Sequence, residues 1–146
     1  MRIIRTAALV TALGLVPAVI AGCGSSETDE AGVQTVFRAY HAALLARDFP
    51  TACALNAPET SAELVRNVNA GGGSAGSCEE ALAAVYGGPG ATVADEVSRT
   101  ATVDDVAVEG DTAHLTWTFD ASGGARTVNT GLRRIDGQWR LLDAGA

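Results

Sequence analysis

The hydrophobic pattern of the chain changes character part-way along. In the first half of the folded part, apolar residues recur at helical spacing. Val33, Val36, Phe37, Tyr40 and Leu44 form one such stripe. Asp29 and Glu30 stand just ahead of it, where the helix dipole favours acids. The spacing predicts a helix over 31–47. Asp48 reads as the cap of a short second helix, with Pro50 in its first turn and Cys53 and Leu55 inside. Pro58 opens a third helix, with Leu64, Val65 and Val68 on its apolar side. Ser77 and Glu80 make a capping-box pattern for a fourth. Leu82, Val85 and Tyr86 face inward from it, and Gly87, Gly88 and Pro89 stop it.

After Thr92 the period moves toward two. Val106 and Val108 alternate, while Val103 is out of phase with them, so Asp104-Asp105 predicts a bulge. Glu109-Gly110-Asp111 turns the chain. Ala113, Leu115, Trp117 and Phe119 then alternate against His114, Thr116 and Thr118, the clearest strand in the sequence. Ser122-Gly123-Gly124 turns again into a strand over 126–135, carrying Val128 and Leu132. Asp136-Gly137 is a tight hairpin signal, and Trp139 and Leu141 share a face of the strand that follows. Helices first and hairpin-linked strands afterwards predict an α+β fold with an antiparallel sheet packed against N-terminal helices.

The first 30 residues belong to a different kind of pattern. Arg2 and Arg5 precede an almost wholly apolar run over 7–21 that ends in small residues. That run is short for a bilayer span and has the form of an export signal. Ile20-Ala21-Gly22-Cys23 resembles the bacterial lipobox: an aliphatic residue, two small ones and a cysteine. In that family the cysteine is acylated and becomes the first residue of the mature protein. Stable anchoring then follows from burying the acyl chains, about 0.8 kcal/mol per methylene. The expected organisation is a lipoprotein signal peptide over 1–22, a lipidated Cys23 with a flexible polar tether over 23–30, and one folded domain over 31–146. The chain would sit outside the cell, held to the membrane by lipid.

This reading also accounts for an odd cysteine count. The chain has three cysteines. With Cys23 lipidated, Cys53 and Cys78 remain as a pair in an oxidising compartment, where a disulfide is the expected state. A catalytic thiol would want a histidine nearby, and none lies near either cysteine in sequence.

Charge narrows the partners. All ten basic residues are arginines, against 17 acids, and the net charge is −7. Loss of Arg2 and Arg5 with the leader takes it to −9. An acidic surface argues against nucleic acid, whose phosphates need basic groups. Gly71, Gly73 and Gly76 spell a literal G-x-G-x-x-G, but a helix precedes it where a dinucleotide cradle needs a strand, so a plain loop is expected. Two histidines without ligand spacing predict no metal site, and no cofactor is implied.

Phe37 and Tyr40 on the first helix, "ARDFPTACAL", "SCEEAL", the meander "VAVEGDTAHLTW" and the closing "DGQWRLLD" together resemble the nuclear transport factor 2-like superfamily, in particular small actinobacterial lipoproteins of that shape. The resemblance covers roughly 31–143. It implies a curved sheet wrapped with helices into a cone that holds an internal pocket. Some members, such as ketosteroid isomerases and SnoaL-like polyketide cyclases, are acid–base enzymes; the lipoprotein members mostly have no known chemistry. Acid–base candidates are Tyr40, His41, Asp105, His114 and Asp120, and none matches a catalytic motif residue by residue. His41 is expected at the edge of the helical stripe as a rim or solvated side chain, and His114 is expected to face away from the core. A domain this small needs most of its aromatic residues, Phe37, Tyr40, Trp117, Phe119 and Trp139, as core. A residual pocket would be lined by Tyr40, Tyr86 and Trp117. The expected role is a lipid-anchored accessory or binding domain for a small apolar ligand or an envelope protein. An acid–base enzyme and a purely structural envelope protein are the alternatives.

Overall fold

The computed structural model describes residues 25–143. Five helices precede four strands: α1 Ser25–Ala46, α2 Phe49–Leu55, α3 Pro58–Ala70, α4 Cys78–Gly87, α5 Ala91–Thr100, β1 Thr102–Glu109, β2 Thr112–Ala121, β3 Gly124–Ile135 and β4 Gln138–Leu141. The α+β class is as the pattern predicts. The expected leader, Cys23 and Gly24 lie outside the described residues. No helix among the described residues is long and apolar enough to cross a membrane.

Two expectations need correction. The polar segment up to Glu30 is not a flexible tether over its whole length, because α1 already begins at Ser25. Glu27 lies in its first turn, where the dipole favours an acid, and Asp29 pairs with Arg134 of β3 at 2.5 Å. The region after Thr92 does not go straight into strand either. It first forms α5, which is tied to the end of α1 by the Arg47–Asp95 ion pair at 2.7 Å.

Local signals set the other boundaries. Asp48 accepts from the Thr51 backbone N–H at 3.2 Å and caps α2. Ser77 accepts from the Glu80 N–H at 3.2 Å, while the Glu80 carboxylate reaches back one residue further than a standard capping box, accepting from the Gly76 N–H at 2.6 Å. Arg47 ends α1 at φ 58, a conformation usually left to glycine. Its guanidinium compensates by gripping Asp95 and lying 4.4 Å from the Tyr86 ring centroid.

The strands form an antiparallel meander in the order β1-β2-β3-β4. The register breaks between Val103 and Asp105: Val103 pairs Trp117, Asp105 pairs Thr116, and Asp104 is the extra residue. The bulge brings Val103 into phase with Val106 and Val108 on the face that carries Ala113, Leu115 and Trp117. That face meets Val33, Phe37, Tyr40 and Leu44 of α1 in a single core cluster. The other face is polar. Thr116 donates to Asn129 Oδ1 at 2.7 Å, and Thr118 donates to Asp104 Oδ2 at 2.6 Å.

The outer edge of β4 is closed by the α2–α3 link. Asn56 bridges Leu141 in parallel, Ala57 N–H donates to the Leu141 carbonyl at 2.7 Å, and Thr60 Oγ1 lies 2.8 Å from the same oxygen. Beside that link, a disulfide joins Cys53 of α2 to Cys78 of α4, with a Cα–Cα distance of 5.9 Å.

Candidate functional site

Helical spacing on α1 puts Phe37, Tyr40 and His41 side by side above the sheet. From below, β2 contributes Trp117, β3 Thr130 and β4 Leu141, and Asp143 follows at the rim. These seven side chains line a narrow cleft in which no water-sized sphere fits.

The lining is aromatic and tightly packed. The His41 ring centroid lies 4.5 Å from Phe37, 5.2 Å from Trp117 and 5.6 Å from Tyr40. Trp117 is 1 % exposed, and its Nε1–H donates to Thr130 Oγ1 at 2.9 Å. His41 is only 7 % exposed, and its Nδ1 is buried with no hydrogen-bond partner. Buried polar atoms in folded proteins are nearly always paired, so this nitrogen is unusual. Burial pushes the His41 pKa down to about 4, so the ring is neutral at physiological pH. Burial, with Tyr86 nearby, pushes the Tyr40 phenol up to about 12, and an interaction with Asn56 pulls it partly back.

The structure gathers some of the candidate residues and scatters others. Tyr40 and Trp117 meet in the cleft. Tyr86 does not line it. It packs on Phe49 at 5.7 Å beneath Arg47, and its hydroxyl lies 3.3 Å from Ser98 Oγ. Asp105, His114 and Asp120 are all exposed on strands β1 and β2. His41 is not the rim residue that the helical stripe suggested. It is i+4 from Phe37 and lies over Trp117, which closes it in. Thr130 was not legible as a site residue at all; only its pairing opposite Leu115 brings it next to the indole.

The glycine-rich loop is a loop. Asn69 clamps it through Ala75, donating to the carbonyl at 3.0 Å and accepting from the N–H at 2.7 Å. The α4 N-terminus behind it is already taken by Ser77 and Glu80, so it offers no phosphate cradle. Among the described residues no group of histidine, cysteine or acidic side chains is placed to hold a metal ion. Comparison with family models, curated proteins and solved structures finds no match to the chain.

Proposed function

We propose that the chain is a lipid-anchored extracytoplasmic domain that acts by binding, and that its ligand is small, mostly apolar and carries one polar group. The observation that carries the binding role is the unpartnered His41 Nδ1 among Phe37, Tyr40 and Trp117. A mostly apolar, aromatic lining with a few polar atoms is how small-molecule sites fix orientation. No water-sized sphere fits the cleft as it stands, so a ligand would need its walls to move apart. The anchor is supported by the lipobox-like Ile20-Ala21-Gly22-Cys23 and by the disulfide between the other two cysteines, which suits an oxidising compartment. Kinship with the nuclear transport factor 2-like superfamily is part of the same proposal, supported by the order of helices and meander and by α1 covering one sheet face.

The acid–base alternative would use His41 as its base. A nitrogen held near 4 is a weak proton acceptor at neutral pH, which favours binding over catalysis. The test is a thermal-shift panel of small aromatic and aliphatic alcohols and amides, repeated on His41→Leu. A ligand that raises the melting temperature of the wild type and not of the variant supports the reading. A wild-type melting temperature that no member of the panel raises leaves the structural role ahead.

A further inference from the structure

The domain has a defined end from which it would hang. One residue, Gly24, separates Cys23 from the start of α1 at Ser25. Two residue steps reach at most about 7 Å. α1 is fixed to the body close to its start. Asp29 pairs with Arg134 at 2.5 Å, Gly32 sits so close to Trp139 that an added Cβ would lie 3.2 Å from its Cδ1, and Val33 is fully buried. A lipid on Cys23 would therefore grip the folded domain itself.

Arg134 shows what else lies at that end. Its backbone N–H donates to the Asp111 carbonyl at 2.7 Å, and its guanidinium lies 4.6 Å over the Trp139 ring. The β1–β2 turn and the β3–β4 hairpin at 136–137 thus share an end with the first turns of α1. β2 runs ten residues from this end to the β2–β3 turn at 122–123, a distance of up to about 30 Å.

We infer that the end formed by the α1 N-terminus and the β1–β2 and β3–β4 turns faces the phospholipid headgroups, and that the β2–β3 turn points away from the membrane. This rests on the lipid-anchor reading above. Among the described residues, the facing surface carries Glu27, Asp29, Glu30, Glu109, Asp111 and Asp136 and no exposed large apolar side chain, so this part of it meets the headgroups without inserting. Orientation comes from the short link, not from side chains buried in lipid.

The experiment uses the full chain produced in an acylating host and reconstituted in phosphatidylcholine vesicles that contain a headgroup-labelled acceptor lipid. A thiol-reactive donor dye is placed on Asp111→Cys or on Ser122→Cys; the disulfide and an acylated Cys23 leave no other reactive thiol. Energy transfer should be strong from position 111 and weak from position 122, corresponding to a height difference of up to about 30 Å. A flexible glycine–serine insert between Gly24 and Ser25 should erase the difference. Equal transfer from both positions with Cys23 shown by mass spectrometry to be acylated overturns the orientation and leaves the anchor intact. A difference that survives the insert overturns the link as its cause. An unacylated Cys23 brings down the anchor and the orientation together.

Discussion

The Trp117 indole and the Thr130 hydroxyl are bonded across the β2–β3 pair at 2.9 Å, both out of reach of water. Thr130→Val keeps the shape and removes the acceptor. The stranded indole N–H should then cost about 1–3 kcal/mol. Thr130→Ser should retain most of the stability. Urea denaturation of both variants checks this, and a loss in Thr130→Ser with none in Thr130→Val would mean that the methyl group, not the hydroxyl, matters.

Acid should loosen the domain through His41. The folded ring titrates near 4 and the unfolded one near 6.5, so the unfolded chain binds more protons between those values. The contribution is complete above about pH 6.5 and is lost as pH falls toward 4. It amounts to about 3 kcal/mol. His41→Phe should flatten stability over that window. Denaturation midpoints from pH 7 to 4.5 measure the slope, and a variant as acid-sensitive as the wild type would assign the effect elsewhere.

Reduction should cost more than the exposed position of α2 suggests. The Cys53–Cys78 bond closes a loop with a sequence separation of 25 residues. Chain entropy gives it about 3 kcal/mol. Cys53→Ala with Cys78→Ala should lower the melting temperature and free the α2–α3 link from β4. Hydrogen exchange at the Ala57 amide, which donates to Leu141, reports that release directly.

The bulge makes an asymmetric deletion experiment. Removing Asp104 leaves Val103, Val106 and Val108 on the core face, because Asp104 is the surplus residue. The loss should be about 1 kcal/mol, from the hydrogen bond that Thr118 donates to it. Removing Ala107 instead puts Val106 and Val108 on opposite faces and should unfold the sheet edge. Melting curves of the two deletions would show the contrast, and similar damage from both would argue against the register.

The sequence carried the elements better than the site. Strict alternation in β2 and the out-of-phase Val103 revealed the meander and its bulge, because a strand has only two faces. α5 was hidden because its inward side is poorly marked: Ser98 is buried there while Val93 is exposed at 63 %. The early start of α1 was hidden because its stabilising partner, Arg134, is 105 residues away. His41 could have been found from its spacing, four residues after Phe37 and three before Leu44. What could not be read was that its Nδ1 has no partner, since that depends on what three other elements fail to offer.

The closing of β4 by Thr60 joins residues 81 apart in the chain. Trp139 and Leu141, which complete the core, belong to the last element made. On the export route proposed above, the helices would be outside and waiting while the segment that finishes them was still being delivered. Contacts so distant in sequence slow folding and leave apolar surface open meanwhile. The Cys53–Cys78 bond lies wholly in the part delivered first. It can hold α2 and α4 together during that interval, acting as a clasp on an unfinished domain before it acts as a brace in the finished one.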